Sequence, residues 1–104
     1  MVDQSRKRAK MKWIEIVELR TVEGNKQLLK LQLKELIREV DEELQGKRIK
    51  IYKRVTIETD FSIHLFHETK RIETCGSELG LRLVSALKDF GMVNHSTWVE
   101  THSK

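Results

Sequence analysis

Residues 48–67 read RIKIYKRVTIETDFSIHLFH, and their alternation decides the fold. Ile49, Ile51, Val55 and Ile57 share one parity, and Arg48, Lys50, Tyr52, Arg54, Thr56 and Glu58 share the other. A period of two sends successive side chains to opposite faces of a strand. Residues 48–59 are therefore predicted as a strand with one aliphatic face. Residues 62–67, SIHLFH, repeat the pattern, with Ile63 and Leu65 opposed to His64 and Phe66. The brief turn near Asp60 predicts that the two strands pair antiparallel.

The flanking segments have a different period. Over residues 25–44, Leu29, Leu33, Leu36, Ile37, Val40 and Leu44 recur every three or four residues, which lines one face of a helix. Lys30, Lys34, Glu35, Arg38, Glu39 and Glu42 take the opposite face, and Gly46 suits a left-handed cap. A second helix is predicted over 77–90, with Ser77 as its N-cap and Leu79, Leu83, Ala86, Leu87 and Phe90 as its apolar stripe. Gly91 is its expected stop. Before the first helix, MKWIEIVELR (11–20) reads as a strand with Trp13, Val17 and Leu19 on one side and Ile14 and Ile16 on the other. The turn 21–25 contains Gly24, and residues 92–100 form the last strand.

The order is thus β-α-β-β-α-β, a ferredoxin-like α+β domain with a four-stranded antiparallel sheet and both helices on one face. Two helices with one stripe each cover only one side of the sheet. The other side, with Tyr52, Arg54, Thr56, His64 and Phe66, must meet water or a partner.

Composition bounds the class. A chain of 104 residues is predicted to form one domain over 11–104, preceded by a flexible basic tail over 1–10. Hydrophobic residues make up 38% and charged residues 35%, of both signs, which argues against wholesale disorder. No apolar run reaches the ~20 residues of a membrane span, and the charged N-terminus is unlike a signal peptide. One cysteine excludes an internal disulfide or a cysteine-only zinc site, and a reducing cytoplasm is the expected home. The net charge of +4 is concentrated in residues 1–12, where Arg6, Lys7, Arg8, Lys10 and Lys12 face Asp3 alone.

Several features of 11–100 resemble the dimeric α+β-barrel superfamily, within it the antibiotic-biosynthesis-monooxygenase-like group. They are the opening strand IEIVELR, the long first helix, the hairpin ending in SIHLFHE and the closing helix-strand LVSALKDFGMVNHSTWVE. The resemblance implies a homodimer with its sheets packed face to face. It also implies a pocket between sheet and helices that takes a small aromatic or polyketide-like molecule. Members include cofactor-independent oxygenases and haem-degrading enzymes, so a monooxygenase-like activity is one expectation. No cofactor is expected, with haem and flavin left open, and no metal.

The ligand-binding candidates are Tyr52, Arg54, His64, Phe66, Asn94, His95 and Trp98. Asn and His can donate hydrogen bonds to a substrate oxyanion, and Trp offers a stacking wall. The catalytic residues are left unassigned. Of the histidines, His64 and His67 have opposite parity and are not expected to share an ion, while His64 and His95 could meet if their strands are neighbours. Cys75 precedes a helix start, a place that can activate a thiol. Two alternatives stand beside the small-molecule reading. One is a nucleic-acid-binding module using the tail with Lys50 and Arg54, and the other is a non-catalytic regulatory or structural dimer. The helix assignment has a direct test. Leu36→Asp places a charge on the apolar stripe and is expected to abolish the cooperative thermal transition; a parent-like melt would show the stripe to be misplaced.

Overall fold

The computed structural model describes residues 9–21, 26–44, 49–57 and 59–102. Most of the basic tail, the turn 22–25, Gly46, Arg48 and Glu58 lie outside the described residues, as do the side chains of Val40 and Leu44. The elements run β1 (Met11–Thr21), α1 (Lys26–Leu44), β2 (Ile49–Lys53), β3 (Asp60–Thr69), α2 (Glu78–Leu87), a short 3-10 turn (Lys88–Phe90) and β4 (Gly91–Val99). The strands form one antiparallel sheet in the order β2-β3-β1-β4. This is the predicted ferredoxin-like arrangement.

Strand β1 is central, pairing with β3 from Met11↔Thr69 to Arg20↔Asp60 and with β4 from Trp13↔Val99 to Thr21↔Gly91. Its odd residues point to the helices. Val17 and Leu19 pack there with Leu29 and Leu33 of α1, Ile63 of β3, Leu83 and Leu87 of α2, and Phe90. Leu36 is half-buried against this cluster, as are Ile49 and Ile51 of β2. Burying apolar groups of this kind stabilises by roughly 1.5–3 kcal/mol per large side chain. The polar side of α1 is solvated, with Arg38 paired to Glu35 one turn earlier.

The hairpin departs from the sequence expectation. Strand β2 ends at Lys53, not at 59, and β3 begins at Asp60, not at 62. The amide of Arg54 donates to the Asp60 carbonyl (3.0 Å), and the amide of Asp60 donates to the Ile57 carbonyl (3.2 Å). Those bonds close a loop over 54–59 and lift the expected aliphatic face out of the core. Val55 is 94% exposed and Ile57 42%. Alternation continued past the point where the backbone had already turned.

At the other end β3 runs on to Thr69, because β1 supplies ladder partners as far as Met11↔Thr69 and backbone pairing does not depend on apolar side chains. The last turn of the second helix tightens to 3-10 geometry, which is common at helix ends. The packing gives a measurable expectation. Leu83 is 1% exposed, and Leu83→Ala should cost about 3 kcal/mol in chemical denaturation; a loss below about 1 kcal/mol would mean that α2 is loosely seated.

Candidate functional site

The two faces of the sheet carry two different constellations. On the helix face, Glu15 lies in the same row as Trp13, Val17 and Leu19, at the centre of the central strand, and it is fully buried. An ionised carboxylate in such a place needs partners for about four lone-pair positions. It has them. Nε2 of His67 lies 2.7 Å from Oε2, and Nε2 of His95 lies 2.8 Å from Oε1. The Ser77 amide donates to Oε1 (3.1 Å), and the Ser77 hydroxyl donates to Oε2.

Local structure places each partner. His67 sits on β3 opposite Trp13 and stacks on its indole at 4.1 Å, while His95 sits on β4 opposite Val17. Ser77 caps α2 and also accepts from the Gly80 amide (3.0 Å). Two glycines make room. Gly80 packs so close that an added β-carbon would overlap the Glu15 carboxylate. Gly76, at φ +107°, holds a left-handed backbone beside the His95 ring.

Burial works to raise the pKa of Glu15, but the bonds from His67, Ser77 and His95 outweigh it and hold the group at about 2 against a usual 4.5. A carboxylate is only an acceptor, so both imidazoles donate from Nε2. The arrangement is that of a buried anion fixing two histidine tautomers. His67 and His95 reach Glu15 from diagonally opposite corners, and among the described residues no group of three or more His, Cys, Asp or Glu could hold a metal ion.

The open face carries the even residues. Opposed pairs place Ile14 with Phe66 and Trp98, Ile16 with His64 and Ser96, Glu18 with Ser62 and Asn94, and Arg20 with Asp60 and Met92. Lys50 and Tyr52 of β2 continue the rows beyond His64 and Ser62. Tyr52 leans on His64 at 4.8 Å, and His64 bonds Ser62 (2.8 Å). Among the described residues no helix covers this face, and Trp98 is 58% exposed, Met92 76% and Tyr52 48%.

Two depressions mark the same face. One, of about 510 Å³, is lined by Tyr52, Arg54, Asp60, Arg20, Asn94 and Met92 among others. The second, of about 480 Å³, lies at the other end by Ile14, Phe66, Glu68, Trp98 and Glu100. At the first, Asp60 is held between two arginines, with Arg54 Nε at 3.2 Å and Arg20 Nε at 3.4 Å. Thr59 and the Arg54 backbone bond complete the setting of Asp60.

Of the sequence candidates, Tyr52, His64, Phe66, Asn94 and Trp98 gather on the open face, and Arg54 joins them from the loop. His95 does not: it faces the helices. His64 and His95 stand on strands on either side of β1 and on opposite faces, so they do not approach each other. Cys75 is exposed in the connection before α2, and His102 is exposed and bonds Thr101. The sequence reading missed Glu15, Arg20 and Asp60. Glu15 left a signal, a charged residue in the same row as Trp13, Val17 and Leu19. Arg20 and Asp60 left none, because only the β1–β3 register brings them together.

Compared with known proteins, the chain matches no family model, no curated protein and no solved structure.

The Glu15 cluster predicts a pH dependence of stability. A pKa lowered from 4.5 to about 2 on folding contributes stability that is complete above pH 4.5 and is lost as pH falls through 2. The shift corresponds to about 3 kcal/mol. In Glu15→Gln this part of the acid-denaturation profile should flatten and the neutral-pH stability should drop by a similar amount. A variant with the parent's slope between pH 4.5 and 2 would show that other carboxylates carry the effect.

Proposed function

We propose that the protein is a homodimer that joins two copies of its open sheet face and binds a small aromatic or polyketide-like molecule there, in the cytoplasm. The observation that carries the reading is the uncovered face itself. Phe66 and Trp98 stand in a row with Ile14 and line the depression of about 480 Å³, and Tyr52, in the row of Ser62 and Glu18, lines the one of about 510 Å³. Ligand sites usually have volumes of roughly 300–1,000 Å³ and combine apolar walls with a few fixed polar groups. A tryptophan 58% exposed and a methionine 76% exposed on one sheet face support this reading.

The resemblance of the sequence pattern to the dimeric α+β-barrel superfamily supports the same assembly. A second sheet laid on the first would roof both depressions and exclude water from them. The helix side offers less, since the space around Glu15 is taken by its own hydrogen-bond partners and by the core. The depressions of the open face are therefore the place this reading gives the ligand. A monooxygenase-like reaction on an electron-rich phenol is the catalytic form of this reading, and oxygen uptake with such a compound is its separate assay.

Light scattering checks the assembly. The expected mass is near twice 12.3 kDa for the parent chain and near 12.3 kDa for Trp98→Asp. Trp98 is largely exposed within one chain, so the variant should keep its circular dichroism spectrum. A monomeric parent would overturn the reading and turn attention to single-stranded RNA on the same face.

A further inference from the structure

We propose that the depression beside β2 selects ligands by an anionic oxygen group, a carboxylate or a phosphate ester, carried on a flat apolar body. The inference rests on the small-molecule reading and names the chemistry of its ligand. It is carried by the Arg20–Asp60–Arg54 cluster. One carboxylate stands between two guanidinium groups, so the cluster keeps an excess positive charge. Both arginines meet Asp60 through Nε, and the side chain of Asp60 is only 12% exposed. A guanidinium has five N–H donors, so each arginine, meeting Asp60 through Nε, keeps terminal N–H groups that can turn to a further acceptor.

Both side chains are more than half exposed and line the depression. Their position is fixed from below. Arg20 is set by its register opposite Asp60, and Arg54 by the backbone bond that closes the 54–59 loop. Held by a buried anion, the two forks need little reordering to take an oxyanion in a paired geometry. The neighbours complete the preference. Met92 and Tyr52 supply apolar and aromatic wall, and Lys53 adds a further cation at the rim. Glu18 is the opposing charge; Asn94 Nδ2 donates to it (3.2 Å). With Glu18 counted, the described lining residues still carry one net positive charge from Arg20, Lys53 and Arg54 against Glu18 and Asp60.

The test measures binding of three matched probes to the full chain by calorimetry at pH 7. The probes are uncharged 2-naphthol, 2-naphthoate and 2-naphthyl phosphate. The anionic probes should bind about tenfold tighter than naphthol, and a better fit of one of them identifies the carboxylate or the phosphate as the natural group. Arg54→Gln and Arg20→Gln should each remove most of that preference, weakening the anionic probes far more than naphthol. Arg54→Lys, which keeps the charge without the fork, should restore only part of it. Glu18→Gln should tighten the anionic probes. Each variant leaves Asp60 one arginine, and a retained melting transition confirms that it folds. Equal binding of all three probes overturns the anion inference while the aromatic reading stands. A preference that survives both arginine variants also overturns it. Binding of none of the three overturns both.

Discussion

The carboxylate of Glu15 is the point on which the rest of the structure turns. It sits at the middle of the central strand with no exposure to water, and an unpaired charge there would be incompatible with folding. Its four partners come from β3, β4, the N-cap of α2 and the backbone beside it. Three strands and one helix are therefore set relative to one another by a single anion. Breaking one side of such an arrangement leaves a buried charge short of partners, which costs more than the bond is worth when intact. Apolar packing supplies most of the stability, but it is non-directional. The Glu15 bonds define where α2 begins and how its first turn meets the sheet.

That arrangement also divides the labour between the two faces. The helix face is filled by the core and the Glu15 cluster, and its histidines are turned inward with both Nε2 atoms committed. The open face has no such internal satisfaction. Its aromatic and aliphatic residues are left partly exposed, and charged residues line both of its depressions. A face of this composition is costly to leave in water and well suited to a second sheet or a flat ligand.

A second buried anion organises the edge of that face. Asp60 lies at the first position of β3, where it holds Arg20 by register and Arg54 through the loop that ends β2 early. The same turn leaves Val55 and Ile57 exposed and sets Arg54 beside Asp60. The local hydrophobic pattern and the observed turn disagree at this place. Such disagreements tend to coincide with sites of function.

The periodicities of the chain, by themselves, determined the order of elements, the side of each helix that faces the core and the parity of the strand residues. Those depend on backbone geometry repeated over many residues, so they are written locally. The gathering of Tyr52, His64, Phe66, Asn94 and Trp98 was half legible: parity gave His64 and Phe66 a common face with Tyr52, while the face of β4 had to wait for its register with β1. Glu15 was visible as an anomaly in a row of apolar residues, but its partners stand 52, 62 and 80 residues away in sequence. The early end of β2, the separation of His64 from His95 and the Arg20–Asp60–Arg54 cluster were decided only by tertiary structure. The first rests on backbone bonds across the β2–β3 turn and the other two on strands that lie apart in the chain, and no local pattern carries information about which charge will be buried beside which.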